Sequence, residues 1–192
     1  MLIFQDIVKL KKEVFEIVNM KKIKIISLDG KNGSGKSYLS GFLSKNFEYI
    51  HLNLDSDRYL IKNQVKYVES IRYINLKNDI KNNIDKDRIS LIDGICVQKI
   101  LDIIRVQPNL KIYVKRLSLS GHWIDGYYFD YNRDVEEILE EDMDEQKSFL
   151  EKVMKTNYEH RENIFHEIVR YHHEYRPDIN ADLIFERHED VG

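Results

Sequence analysis

Residues 30 to 37 read Gly30-Lys31-Asn32-Gly33-Ser34-Gly35-Lys36-Ser37, which satisfies the phosphate-binding pattern G-x-x-x-x-G-K-[S/T] at every specified position. The three glycines allow positive φ and leave room for backbone N–H groups to turn toward a polyphosphate. Lys36 brings a point charge to the β- and γ-phosphates, and the Ser37 hydroxyl is suited to ligate the magnesium ion that accompanies a nucleoside triphosphate. The stretch therefore predicts a P-loop whose ligands are ATP and Mg²⁺.

The sequence on either side of this loop has the order that a P-loop needs. Residues 23–28 form an apolar, β-branched run typical of a buried strand, and apolar side chains recur at helical spacing after the loop. The end of the loop would then open a helix whose free N–H groups favour an anion. The residues that we expect to bind the nucleotide are Gly30, Lys31, Asn32, Gly33, Ser34, Gly35, Lys36, Ser37 and Tyr38.

Composition narrows the class of protein further. The chain has 192 residues and 42% hydrophobic content, which suits one domain spanning residues 1–192. A net charge of -3 gives no electrostatic argument for nucleic acid as a partner, and no long basic run suggests a membrane surface. Cys96 is the only cysteine, so an internal disulfide cannot form. We expect a cytoplasmic protein that binds neither nucleic acid nor membrane.

An amphipathic pattern fills the N-terminal segment, residues 1–20. Apolar residues recur on one helical face between Leu2 and Val18, at Ile3, Ile7, Leu10, Val14 and Ile17. The pattern predicts a helix from Leu2 to Val18 that packs either on the domain itself or on a second copy of the chain in a homo-oligomer. A role in binding a partner helix is the alternative.

Two further predicted strands end in acidic residues. Residues 49–54 form a strand followed by Asp55 and Asp57, and residues 89–94 form a short strand that contains Asp93. The carboxyl ends of parallel strands form the ligand-binding edge of a sheet. An acid such as Asp93 is what a P-loop protein uses to hold magnesium, directly or through water. The alternative for Asp93 is an ordinary N-cap of the helix predicted over residues 95–106.

The remaining sequence completes an alternating pattern. A helix is predicted over residues 65–84, and a fourth strand over residues 110–114 is followed by Lys115 and Arg116. The lid-like segment, residues 116–133, is aromatic and punctuated by glycine. A mobile flap over a planar ligand, a self-packed loop and a dimer contact are all open. A charged helical region runs from 133 to about 175, and a last strand covers 181–186. Alternation of this kind predicts a parallel sheet covered by helices on both faces.

Taken together, these residues resemble the uridine kinase and phosphoribulokinase-like branch of the P-loop kinases, over residues 23–186. Besides the loop, the similar stretches are Leu54-Asp55-Ser56-Asp57-Arg58-Tyr59, Leu91-Ile92-Asp93-Gly94-Ile95, Arg133-Asp134-Val135-Glu136-Glu137-Ile138-Leu139, His173-Glu174-Tyr175-Arg176-Pro177 and Ala181-Asp182-Leu183-Ile184. The resemblance implies a three-layer α/β/α P-loop NTPase fold with a five-stranded parallel sheet and a lid. It also implies transfer of the γ-phosphate of ATP to a hydroxyl of a nucleoside or another small metabolite. The lid differs, because residues 118–132 contain neither Lys nor Arg, whereas the family's lid carries several arginines.

On this hypothesis, each predicted site residue has a role in phosphoryl transfer. Lys36 holds the phosphates of the donor, and Ser37 and Asp93 hold magnesium. Asp55 accepts the proton of the acceptor hydroxyl, with Asp57 as the second candidate. The residues that would approach the transferring phosphate are Arg116 and Arg133, which flank the lid-like segment.

Other functions fit the same P-loop. An NTP hydrolase or switch would need no hydroxyl acceptor, and a non-catalytic nucleotide-binding protein would need no base after the second strand. The Asp29-Gly30 entry to the loop also resembles that of nucleoside monophosphate kinases, which keeps a nucleotide acceptor open. Tyr59, Trp123 and Tyr127 are candidates for stacking on an acceptor ring, with core positions as the alternative. We expect His172 and His173 to be solvated helix residues.

Overall fold

The computed structural model describes residues 1–62, 66–149 and 163–188 of the chain. Its strands are β1 (Leu2–Phe4), β2 (Ile25–Asp29), β3 (Ile50–Asn53), β4 (Ser90–Asp93), β5 (Leu110–Leu117) and β6 (Leu183–His188). Its helices are α1 (Ile7–Met20), α2 (Lys36–Phe47), α3 (Tyr73–Asp85), α4 (Val97–Ile103), α5 (Val135–Phe149) and α6 (Ile164–Tyr175), with a 3₁₀ turn at Val68–Ser70. The six strands pair in the order β1-β6-β5-β2-β4-β3, and every pairing is parallel.

Helices cover both faces of the sheet because its central strands are apolar on both sides. All five residues of β2 are buried. Ile25 packs in a core with residues of α3, α4 and α6, whereas Ile26 and Leu28 pack in a second core with residues of α1 and α2. A strand that buries both faces is what a parallel sheet between two helical layers requires. The predicted three-layer α/β/α fold of P-loop NTPases is confirmed.

A sixth strand extends the predicted sheet. Leu2–Phe4 pairs with Leu183–Phe185 of β6 in parallel register, so the segment predicted as the start of a helix is a strand. Helix α1 begins only after Asp6, whose carboxylate accepts hydrogen bonds from the N–H groups of Val8 at 2.7 Å and Lys9 at 3.3 Å. The apolar run before this cap adds to the edge of the sheet, which helical spacing alone does not distinguish from a first turn.

Helix α1 packs on its own chain, which is one of the two arrangements predicted from the sequence. Leu10 and Val14 are fully buried in the core beneath one face of the sheet, next to side chains of α2 such as Leu39 and Leu43. The opposite side of α1 leaves Phe15 half exposed.

The helix predicted over residues 65–84 is shorter in the structure. Residues 63–65 lie outside the described ranges, and the chain then makes the 3₁₀ turn and reaches α3 only at Tyr73. An isolated antiparallel bridge between Leu60 and Ile71 holds this connection in an extended conformation. The helical region predicted from 133 to 175 is described as α5 and α6, and its residues 150–162 lie outside the described ranges.

The topology collects polar residues at one edge of the sheet. Strand β2 lies between β5 and β4, so the connections that leave β2 and β4 diverge at this point. In register, Leu28 of β2 pairs with Asp93, which also pairs with Asn53 of β3, while Asp29 pairs with Tyr113 of β5. Crevices at such switch points are where ligands bind in open α/β sheets.

Within the described ranges, no helix is long and apolar enough to cross a membrane.

Candidate active site

The glycines of the P-loop adopt the backbone conformations that the sequence predicts. Gly30, Gly33 and Gly35 have φ values of 150°, 75° and 99°. A Cβ at Gly30 would lie 2.7 Å from the carbonyl oxygen of Val114, so no larger residue fits there without a shift of the backbone. Gly35 is the N-cap of α2, and no side chain caps that helix, so its first N–H groups remain available to an anion.

Lys36 is the charged centre of the loop. Its side chain is 6% exposed, and its ammonium group donates a hydrogen bond to the backbone carbonyl of Lys31 at 2.7 Å. Burial lowers the pKa of Lys36, and the carboxylates that oppose this effect belong to Asp29, Asp55 and Asp93. The fold therefore brings the predicted base and the predicted metal ligand within electrostatic range of the P-loop lysine.

Asp93 is fully buried at the end of β4. Its Oδ1 lies 2.5 Å from Nε2 of His51 on the neighbouring strand β3, and its Oδ2 is a buried oxygen without a hydrogen-bond partner in the described part of the chain. Ser37, by contrast, is exposed at the start of α2.

The donor set at this edge fits magnesium. Mg²⁺ prefers hard oxygen ligands and commonly takes one or two protein groups together with substrate phosphates. The unpaired Oδ2 of Asp93 and the Ser37 hydroxyl are oxygen donors of that type. Among the described residues, no group of three or more His, Cys, Asp and Glu side chains is arranged to hold a metal ion without a substrate.

Asp55 and Asp57 have different surroundings. The Asp55 carboxylate accepts a hydrogen bond from the Tyr67 hydroxyl at 2.7 Å and acts on Lys36. Asp57, which is exposed as Asp55 is, forms an ion pair with Lys62 at 2.6 Å. Of the two candidate bases, Asp55 is the one that the structure brings near the P-loop lysine.

Tyr67 connects Asp55 to the end of β4. A Cβ at Gly94, directly after Asp93, would lie 3.0 Å from the Tyr67 hydroxyl oxygen and 2.9 Å from Cβ of Leu54. Burial and the nearby Asp55 carboxylate raise the pKa of Tyr67, so it remains a neutral donor to Asp55. The missing side chain at Gly94 is what lets this hydroxyl approach the site.

A cavity of about 260 Å³ lies between the 3₁₀ turn, α4 and α6, next to Tyr67 in the chain. The residues that line it are Lys66, Val68, Glu69, Lys99, Asn163, His166, Glu167 and Arg170. The Glu167 carboxylate fixes its wall by accepting hydrogen bonds from the N–H groups of Tyr67 at 2.6 Å and Val68 at 3.0 Å. The cavity wall and the partner of Asp55 are thus held as one unit.

Asp29 ties the entry of the loop to two helices. Its buried carboxylate accepts hydrogen bonds from the N–H groups of Gly30 at 2.7 Å and Val97 at 3.1 Å, and from the Tyr171 hydroxyl. Burial raises the pKa of Asp29 to about 6, although these hydrogen bonds and Lys36 act in the opposite direction. The loop, α4 and α6 are therefore joined through one carboxylate.

The aromatic part of the lid-like segment packs into the domain. Phe129 is 3% exposed and stacks on His172 at a centroid distance of 3.8 Å, and Trp123 contacts the rings of Phe129 and Tyr113. His172 is itself 1% exposed, so the prediction of a solvated histidine is wrong. It faces the core side of α6, where Tyr113 donates to its Nε2 at 2.8 Å and its Nδ1 bonds the carbonyl of Ile168. The aromatic part of this segment is therefore packed on its own domain, as the self-packed loop requires.

A second contact fastens the segment to the P-loop itself. Lys31 forms an ion pair with Asp125 at 2.6 Å, and the two side chains are 20% and 5% exposed. The ammonium group also lies 5.2 Å from the ring centroids of both Tyr128 and Phe165. The P-loop, the lid-like segment and α6 therefore meet at Lys31.

The two predicted arginines lie in different places. Arg116 reaches the P-loop, since a Cβ at Gly33 would lie 3.7 Å from its Nη1. Arg133 instead pairs with Glu141 of α5 at 2.7 Å and stacks over the Tyr127 ring. Tyr59, a candidate for stacking on the acceptor, is 3% exposed and donates to Asp79, which leaves it in the core.

Three residues beside the loop were not predicted from the sequence. His51 lies next to Asp93, Tyr67 next to Asp55, and Arg187 of β6 next to Gly35. The position of His51 could have been predicted from the sequence, because it lies in a predicted strand next to the one that ends in Asp93. The positions of Tyr67 and Arg187 could not be predicted in this way, since they follow from the turn after β3 and from the register of β6.

Comparisons with known proteins show similarity of fold. No protein-family model matches the sequence, and no curated protein matches it. Among solved structures, a possible uridine kinase from Bacillus stearothermophilus covers 93% of this chain over 96% of its own, with a TM-score of 0.52 and 13% identity. A thymidylate kinase from Ehrlichia chaffeensis covers 64% of this chain over 83% of its own, with a TM-score of 0.38 and 15% identity. The chain therefore has the fold of a P-loop kinase.

Proposed function

We propose that the protein is an ATP-dependent phosphotransferase that moves the γ-phosphate to a hydroxyl group of a small molecule. The observation that carries the proposal is the arrangement at the carboxyl edge of a P-loop kinase fold. Asp93 ends the strand beside β2, and the Leu54 N–H donates to its carbonyl at 2.9 Å, so Asp55 follows directly at the same edge. A protein that only binds nucleotide has no use for a carboxylate placed like Asp55. Phosphoryl transfer needs in-line placement and charge neutralisation, and these residue types supply both.

The residues divide between donor and acceptor. The N–H groups from Gly30 to Tyr38 and the Lys36 ammonium hold the phosphates of ATP. Ser37 and Asp93 would hold magnesium, which when bound supplies further positive charge to the β- and γ-phosphates. Asp55 accepts the proton of the acceptor hydroxyl while the oxygen of that hydroxyl bonds to the γ-phosphorus. The bond between the γ-phosphorus and the bridging oxygen of the β-phosphate breaks, and ADP leaves. Tyr67 orients the Asp55 carboxylate by donating to it.

The acceptor occupies the cavity beside Tyr67. Its volume of about 260 Å³ suits part of a nucleoside-sized molecule, and its wall is joined to Asp55 through Tyr67. A nucleoside is therefore the acceptor that we propose, in agreement with the name of the structural neighbour from Bacillus stearothermophilus.

A nucleoside monophosphate is the second candidate acceptor, because of the charge of the cavity. Lys66, Lys99 and Arg170 all line it. Each of these cations pairs with a carboxylate; Lys66, for example, pairs with Glu69, and Lys99 pairs with Glu174. A phosphate group of the ligand would take the place of such a carboxylate. Cations at a binding site favour an acceptor that carries its own phosphate.

The test is a search for phosphorylated products. The protein is incubated with MgATP and, separately, with nucleosides, nucleoside monophosphates and small polyhydroxyl metabolites, and the products are identified by mass spectrometry. We expect one class of acceptor to be phosphorylated, and Lys36→Ala to abolish the product. Release of ADP without any phosphorylated acceptor would support a hydrolase or switch instead.

A further inference from the structure

Two arginines, one from β5 and one from β6, lie next to the P-loop. Arg116 and Arg187 are register partners on the adjacent strands β5 and β6, so their side chains leave the same face of the sheet. Arg116 approaches Gly33, as described above. A Cβ at Gly35 would lie 3.0 Å from Nη1 of Arg187 and 3.1 Å from its Cδ. Both arginines are partly exposed.

The position of Arg187 along the loop indicates which phosphates it would meet. Gly35 is the N-cap of α2, and the N–H groups at the start of that helix cradle the α- and β-phosphates of a nucleotide in a P-loop. A guanidinium group beside this residue is at the diphosphate end of the site. Its planar fork can bond two phosphate oxygens at once, which a lysine cannot do.

A cation supplied by the strands matters more here because most of the lid-like segment has no positive charge. Residues 118–132 contain neither Lys nor Arg, and Arg133 pairs with Glu141. Among the described residues, the loop itself contributes Lys31, which pairs with Asp125, and Lys36, and the strands bring Arg116 and Arg187 next to it.

We infer that Arg187 is a donor-binding residue that contacts the α- and β-phosphates of the nucleotide. With Arg116 near Gly33, it supplies from the sheet the positive charge that residues 118–132 lack. This inference rests on the proposed function and adds a residue to its nucleotide site. It predicts that Arg187 acts on affinity for ATP and ADP alike, because both carry the α- and β-phosphates.

The test measures binding by calorimetry and needs no acceptor and no turnover. MgADP and magnesium tripolyphosphate are titrated into the wild type, Arg187→Gln, Arg187→Lys and Arg88→Gln. Arg88→Gln removes the same charge from an exposed residue before β4, at the opposite edge of the sheet, and serves as the matched control. Thermal unfolding followed by circular dichroism checks that each variant is folded.

We expect Arg187→Gln to weaken the binding of both ligands by about tenfold, equivalent to about 1.4 kcal/mol. Arg187→Lys should be weakened severalfold, because the charge remains and the fork is lost. Arg88→Gln should bind like the wild type. If Arg187→Gln is unfolded, the inference is tested by whether Arg187→Lys binds MgADP and magnesium tripolyphosphate more weakly than the wild type does.

Three results would overturn the inference. Unchanged affinity of the Arg187 variants for MgADP would make Arg187 a support of the loop and leave the proposed function standing. A loss for MgADP without a loss for tripolyphosphate would move the contact to the base or ribose. A wild type that binds neither ligand would reject the proposed function together with this inference.

Discussion

Replacement of Asp29 by Asn should change how the stability of the protein depends on pH. The Asp29 carboxyl is 2% exposed, and burial raises its pKa from 3.8 to about 6. Between these two values the folded state holds a proton that the unfolded state has released. The contribution of Asp29 to the free energy of unfolding is therefore largest at low pH and declines as the pH rises toward 6.

The size of the effect follows from the pKa difference. A shift of about two units corresponds to about 3 kcal/mol, of which about 2 to 3 kcal/mol is expressed between pH 4 and pH 7. Asn cannot titrate, so Asp29→Asn lacks this slope. Asn also replaces one of the two accepting oxygens, which bond the donors of Gly30, Val97 and Tyr171, by an NH₂ group that cannot accept. This adds an offset that does not vary over this range.

Urea denaturation of both proteins at half-unit steps from pH 4 to pH 7 gives the difference in their free energies of unfolding. We expect the wild type to lose about 2 to 3 kcal/mol relative to Asp29→Asn as the pH rises. Burial lowers the pKa of His172 to about 3, which gives a slope of opposite sign. That slope is common to both proteins and cancels in the difference. The reasoning would be refuted if the free energy of unfolding of the wild type minus that of Asp29→Asn stayed constant within about 0.5 kcal/mol, or increased, as the pH rises.

Three further substitutions test the site. Asp55→Asn should reduce phosphoryl transfer by roughly 10²-fold with nucleotide affinity nearly intact, whereas Asp57→Asn should be close to wild type because its carboxylate pairs with Lys62 at the surface; the reverse pattern in steady-state kinetics would exchange their roles. Gly94→Ala should destabilise the fold by about 1 to 3 kcal/mol in urea and slow transfer, because its Cβ would displace the hydroxyl that orients Asp55. Asp125→Asn should cost about 3 kcal/mol, since it leaves the Lys31 ammonium without its carboxylate. It should also speed limited proteolysis between residues 118 and 132, and unchanged cleavage would show that this ion pair does not hold the segment.

The elements around the P-loop were predictable because their signals are local. An apolar strand, glycines with positive φ and an amphipathic helix follow one another within about 25 residues, and each is read from its neighbours in the sequence. Parallel pairing then brings the acids after β3 and β4 to the same edge as the loop, so the approach of Asp55 and Asp93 to Lys36 was also within reach.

Contacts between distant segments were not predictable in this way. Lys31 and Asp125 are 94 residues apart, and Asp29 and Tyr171 are 142 residues apart. Their meeting depends on strand register and on how the lid-like segment packs. The burial of His172 has the same origin, because a polar residue on a helix acquires a core position only when aromatic partners from other elements cover it.

The boundary of the first helix illustrates the limit of periodicity. Leu2, Ile3 and Phe4 fit one helical turn and one short strand equally well. What selects the strand is the free edge of β6, with which these residues pair.

The proposed function is tested most directly by the ratio of ADP formed to acceptor phosphorylated, measured in one reaction with wild-type protein and the acceptor that the product search identifies. We predict a ratio of one to one, with both products falling together in Asp55→Asn. ADP formation that continues at the same rate without the acceptor, or that exceeds phosphorylated product severalfold, would contradict phosphoryl transfer as the function of this site.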